Sequence, residues 1–131
     1  MLAPVKLALG EIPVPSTDIT SEVVLQLVGV TLSLSFEFEE GGVRKRSGLL
    51  FDGVRAHAHR TEGVSTAWHV EDVFETVTEV LGSPWLEEVE SLASERDHGY
   101  GELHPYMIYL DSVGCYEAIA GSWSLTLVTV A

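Results

Sequence analysis

The stretch Thr31-Leu32-Ser33-Leu34-Ser35-Phe36-Glu37-Phe38-Glu39-Glu40-Gly41-Gly42-Val43-Arg44-Lys45-Arg46 decides the fold class. Leu32, Leu34, Phe36 and Phe38 alternate with serine, threonine and glutamate. Strand side chains point alternately to opposite faces, so this spacing predicts a half-buried strand with one face in the core and one in water. Glu40-Gly41-Gly42 supplies a turn. The chain then returns through Val43 to Phe51, which sets Arg44, Lys45 and Arg46 across from Glu37, Glu39 and Glu40. Opposite charges facing one another across two strands reinforce the register.

Working outward, Asp52-Gly53 has the chemistry of a hairpin turn. A third strand is expected beyond it, with Val54, Ala56 and Ala58 on one face and Arg55, His57 and His59 on the other. Residues 31–60 thus read as a three-strand meander. Upstream, Val23 to Val30 is mostly apolar and rich in valine. Residues 1–20 hold Pro4, Pro13 and Pro15 and suit a loosely ordered arm, or an edge strand in which Val5, Leu7 and Leu9 alternate.

Downstream, residues 68–81 fit two patterns. Val70, Val73, Phe74, Val77 and Leu81 have helical spacing, whereas the β-branched residues favour a strand from about 73 to 80, with a helical turn before it. The clearest helix follows. Ser83 suits an N-cap and Pro84 the first helical position. Trp85, Leu86, Val89, Leu92 and Ala93 then form one apolar stripe, with Arg96 near the end and Gly99 beyond it. Tyr106 to Leu110 reads as a central strand, Asp111-Ser112-Val113-Gly114 as a turn, and Cys115 to Ala120 as its antiparallel partner. Trp123 to Val130 reads as a last strand. The expected fold is α+β: a mainly antiparallel β-sheet with one amphipathic helix, about residues 84–96, packed on it. Residues 1–131 form a single domain on this reading.

The formal net charge is -13 and is uneven. Residues 1–60 carry six of the seven Lys/Arg and seven acids, whereas residues 61–131 carry thirteen acids and only Arg96. Such a surface repels polyanions, so nucleic acid and anionic membrane are poor partners and a basic protein is favoured. No apolar stretch reaches the ~18 residues that span a bilayer. Met1-Leu2-Ala3-Pro4-Val5-Lys6 lacks the basic and apolar regions of a signal peptide. The single cysteine, Cys115, sits in an apolar run and reads as a buried, inert thiol. A cytoplasmic location is the simplest expectation.

Several constellations bear on chemistry. His57 and His59 lie at i and i+2 on a strand, where two imidazoles can share a metal, but Arg55 on the same face opposes a dication. His98 and His104 flank a glycine-containing loop with Glu102 between them, at a spacing that matches no metal signature. Glu71, Asp72, Glu75 and Glu79 offer paired carboxylates of the type used in glycoside hydrolysis. In so acidic a chain, however, pairs arise at any spacing. Nucleophile-elbow, phosphate-loop and dinucleotide motifs are absent. No cofactor is implied, and the residues point away from an enzyme. Among Trp68, Trp85 and Trp123, the first suits an exposed interface anchor and the other two suit core packing.

From Leu50 onward the chain resembles a set of small uncharacterised bacterial proteins. The likeness rests on Leu50-Phe51-Asp52-Gly53-Val54-Arg55-Ala56, on Ser83-Pro84-Trp85-Leu86, and on the stretch from His104 to Trp123. The last contains His104, Tyr106, Ile108-Tyr109, Asp111-Ser112, Gly114 and Tyr116-Glu117. The resemblance implies no particular activity. In size and acidity the chain is also similar in type to immunity proteins that neutralise secreted toxins. The leading expectation is an acidic interaction module that meets a basic partner through Glu71, Asp72, Glu75, Glu79, Glu87, Glu88, Glu90 and Trp68. The alternatives are a metal- or ligand-binding protein or enzyme using His57/His59 or His98/His104, and a homo-oligomer, such as a homodimer, that buries edge strands near Leu125, Leu127 and Val130.

Overall fold

The computed structural model describes residues 3–93 and 101–130. They form two antiparallel sheets with a few short helices. Strands β1 (Val5–Glu11), β2 (Val24–Val28), β3 (Thr31–Glu40), β4 (Val43–Asp52) and β5 (Ala56–Arg60) come first. Helix α1 (Ala67–Val70), strand β6 (Thr76–Leu81) and helix α2 (Pro84–Leu92) follow. Strands β7 (His104–Leu110), β8 (Gly114–Ala120) and β9 (Ser122–Thr129) complete the order. One sheet runs β1-β6-β7-β8-β5 and the other β2-β3-β4-β9. Among the described residues no helix is long and apolar enough to cross a membrane.

The alternation in β3 builds the core. Leu32, Leu34, Phe36 and Phe38 are all buried, while the residues between them stay partly open. Leu49 and Phe51 of β4 join them from the same sheet. Val77, Tyr106, Ile108, Leu110, Tyr116, Ala118 and Ala120 meet them from the other. The register is the one the charges favour: Glu37 lies opposite Arg46 and Glu39 opposite Arg44. Lys45 reaches Glu40 at 2.6 Å and Arg44 reaches Glu37 at 3.5 Å.

The meander ends one strand early. β5 does not pair with β4; it lies in the other sheet, against β8. The far side of β4 belongs to β9, where Leu49 faces Leu125 and Phe51 faces Trp123. Asp52 and Gly53 therefore carry the chain from one sheet to the other. The Val54 amide bonds the Val30 carbonyl at 2.9 Å, and the Arg55 amide bonds the Ile119 carbonyl at 2.8 Å. Val54 is drawn into the core by this crossing and does not share an exposed face with Ala58.

The central strands β7 and β8 of the five-stranded sheet are buried on both faces. The outer side of this sheet carries a smaller cluster of Val73, Val80, Met107, Tyr109 and Cys115, with Val70 packed against it. This explains why β7 is apolar on both faces: one face meets the opposite sheet and the other lies under residues 62–74. The strand expected from residue 73 begins at Thr76. Asp72 and Glu75 both adopt left-handed backbone conformations, with φ 64° and 58°. They turn the chain sharply on either side of Val73-Phe74, burying Val73 and leaving Phe74 outside.

Helix α2 starts as expected, with the Ser83 hydroxyl accepting from the Leu86 amide at 3.2 Å. It stops at Leu92, because Ala93 is extended (ψ 134°). That is short of the expected residue 96, and Arg96 and Gly99 lie outside the described residues. None of its side chains is fully buried. Trp85 is half-buried and outside the core clusters, whereas Trp123, also half-buried, packs against the main core as expected. The Trp123 ring rests where a side chain at position 10 would be: a Cβ on Gly10 would meet it at 2.8 Å. β1 is an edge strand, so the amino-terminal arm is ordered from Val5 by pairing with β6.

Candidate functional site

The acidic residues of the second half divide into two groups. Glu71 and Asp72 follow α1, and Glu87, Glu88 and Glu90 sit on α2; all five are exposed. Residues 61–93 carry eight acids and no lysine or arginine. Trp68 in α1 is 40% exposed and Phe74, six residues on, is 43% exposed. Glu75 and Glu79 stand apart from this group. Each is partly buried and already engaged. The Glu75 carboxylate accepts from the Ser16 amide, and Glu79 Oε2 meets His104 Nδ1 at 2.8 Å. Glu79 is also registered with Leu7 and Tyr106, on the side of its sheet that faces the core.

Lysine 6 fastens the α1 segment to the sheet. Its Nζ donates to the carbonyls of Trp68 and Glu71 and lies 4.0 Å from the centre of the Trp68 ring. A cation held over an indole face is attracted to it. Burial pulls the Lys6 amine below its ordinary range, against the opposing pull of Asp72 and Glu71. At the other end of α1, the Thr66 amide donates to His69 Nδ1 at 2.9 Å. That bond needs an unprotonated Nδ1. Burial first, and the charges of Arg60 and Lys6 after it, hold His69 below its usual value.

Between α1 and α2 lies a cavity of about 180 Å³, lined by Trp68, Trp85, Val80, Pro105 and Glu117 among others. Glu117 rises from β8, a central strand, between neighbours Ala58 and Met107. Burial pushes its carboxyl above the ordinary carboxylate range, although Arg60 and Lys6 pull the other way. The sequence offered no pattern that singles out Glu117 or Phe74. Glu117 sits in an apolar run, and only the sheet order shows that it faces a cavity.

The histidines are dispersed. His57 and His59 are exposed on edge strand β5 and share a face. His59 stacks on Tyr116, with ring centres 4.2 Å apart, and its Nε2 lies 3.1 Å from the Val113 carbonyl. His104 is committed to Glu79, and His98 lies outside the described residues. Among the described residues no group of three or more His, Cys, Asp or Glu side chains is arranged to hold a metal ion. Cys115 is fully buried, and burial pushes its thiol up to about 12.

No protein-family model matches the chain, and neither a curated protein nor a solved structure matches it.

Proposed function

We propose that this chain is a cytoplasmic protein-interaction module whose acidic layer, over the outer face of the five-stranded sheet, binds a basic protein. The observation that carries this reading is the exposed set Glu71, Asp72, Glu87, Glu88 and Glu90 on the two segments that meet at the exposed Trp68 ring, with the exposed Phe74 ring just beyond Asp72 in the chain. Charge alone would serve solubility. Charge around exposed aromatic anchors is the composition of an interface core with its rim. Helix α2 belongs to this layer and packs on the sheet through half-buried Trp85, Leu86 and Val89. The basic residues Arg44, Lys45 and Arg46 lie on the other sheet, two of them tied to Glu37 and one to Glu40, so they do not neutralise the acidic layer. A toxin whose cationic surface normally meets a polyanion is the partner type that fits, in the manner of immunity proteins, and it agrees with the bacterial resemblance of the segment from Leu50 onward. Affinity capture at low and then moderate salt tests the reading. A basic protein held at low salt and released as salt rises supports it, because complementary surface charge is screened. Retention indifferent to salt opposes it.

A second reading has its own observation. β9 is an edge strand of eight residues, and from Ala118 to Ala131 the chain carries no charge. Leu127 and Val128 are 52% and 53% exposed. Such an edge is a template for another strand, and nothing along β9 itself guards it with charge or proline. A second copy pairing β9 to β9 would continue the four-stranded sheet. Sedimentation of wild type beside Val128→Lys tests this. A dimer lost in the variant supports it, and a wild-type monomer at high concentration opposes it.

A further inference from the structure

The cavity between α1 and α2 holds an unusual combination. Its walls are largely apolar: Trp68, Trp85, Val80, Pro4, Pro84 and Pro105. Among the described residues its one carboxylate is Glu117. Ser83, also on the wall, has its hydroxyl committed to capping α2. Of the cations that act on Glu117, Arg60 on neighbouring β5 donates to the Val64 carbonyl at 3.3 Å, and the Lys6 amine is committed to the carbonyls of Trp68 and Glu71. Among the described residues Glu117 has neither a hydrogen bond nor an ion pair, although it is half-buried on a central strand. A carboxylate withdrawn from water without a partner is costly, and a cation brought to it recovers that cost.

We infer that this cavity takes the side chain of a lysine or arginine from the basic partner, its stem between Trp68 and Trp85 and its charged head on Glu117. The inference rests on the proposed role of the acidic layer and names the point of contact within it. The volume suits one side chain and falls below the ~300 Å³ typical of pockets for drug-sized ligands. Long basic side chains lay their methylenes on apolar walls while the head seeks polar groups. Exposed Glu71, Asp72, Glu87 and Glu88 on the two flanking segments favour approach of a cation.

The test needs no natural partner. N-acetyl-lysine N-methylamide is titrated into the full chain while the three indole N–H resonances are followed by NMR. N-acetyl-norleucine N-methylamide, which has a similar stem without the charge, is titrated alongside. The expected result is saturable movement of the Trp68 and Trp85 signals with the lysine probe and none at Trp123. The norleucine probe binds about tenfold more weakly, the scale of one charge-assisted contact. Glu117→Gln weakens the lysine probe by about the same factor while leaving the Trp123 signal in place, which shows that the variant is folded. Trp85→Leu, with its own Trp123 signal as the folding control, also loses the lysine probe. Equal binding of both probes, no movement at Trp68 and Trp85, or affinity unchanged in Glu117→Gln overturns the inference. Failure here with salt-sensitive capture intact removes the cavity and keeps the acidic layer. Binding of the lysine probe with no basic protein captured does the reverse.

Discussion

Trp68 and Trp85 wall one cavity although each stands on a separate short helix and neither is a core residue. Their meeting depends on Lys6, which ties α1 down, and on Ser83, which starts α2 beside β6. The substitutions that follow separate what holds the fold from what shapes this surface.

Trp85→Ala is expected to cost about 1–2 kcal/mol, because only part of the indole leaves contact with the protein. Phe36→Ala, which empties a site 2% exposed in the main core, should cost about 3–5 kcal/mol. Urea melts of the two variants check the order. A Trp85→Ala loss equal to that of Phe36→Ala would make α2 part of the core.

Glu117→Gln should raise the melting temperature at neutral pH. Burial holds the folded pKa of Glu117 above its unfolded value. The folded state therefore binds more protons, and stability falls as pH rises from the ordinary value of ~4.3 through the raised one. A neutral amide removes that loss. The advantage should vanish once the pH is below the ordinary carboxylate range, where both side chains are uncharged. Thermal melts of both proteins across that interval decide it. A gain that persists in acid would mean the effect is not ionisation.

Gly114→Ala should destabilise by about 3 kcal/mol or more. Gly114 has φ 119°, and a Cβ there would lie 2.1 Å from the Arg60 carbonyl oxygen and 2.9 Å from the Thr61 Cα. Backbone cannot swing aside as a side chain can. Gly63→Ala, with open space around its Cβ, is the control and should change little. Comparable melts for the two would contradict the tight approach of the β7–β8 turn to β5.

The Cys115 thiol should resist a disulfide reagent at neutral pH until the protein unfolds. It is fully buried, and its thiolate is disfavoured by burial and by Glu117. Labelling that proceeds in the native protein at the rate of a free thiol would show that residues 62–74 open readily.

Much of the sheet was legible from residues alone. The alternation in β3, the charged register with β4, the Pro84 start of α2 and the doubly apolar β7 each follow from local chemistry. The crossing after Asp52-Gly53 did not, because a turn dipeptide shows that the chain bends and not which strand waits beyond it. The partner of β4 turned out to be β9, some seventy residues later in the chain. Trp68 as an exposed ring was foreseen from its polar neighbours. Phe74 was not, since its outward turn depends on left-handed Asp72 and Glu75. The acids looked alike in sequence, and only the fold separates exposed Glu71 and Asp72 from engaged Glu75 and Glu79.

The proposed role of the acidic layer is to bind a basic protein. The most direct measurement is quantitative capture from the source cell's lysate and culture supernatant by three proteins side by side. They are the wild type, a variant with Glu71, Asp72, Glu87, Glu88 and Glu90 changed to their amides, and a control with Glu37→Gln on the opposite sheet. One basic protein is expected to be held by the wild type and the control and lost from the five-fold variant. Equal retention by all three, or no specific partner for any of them, would contradict it.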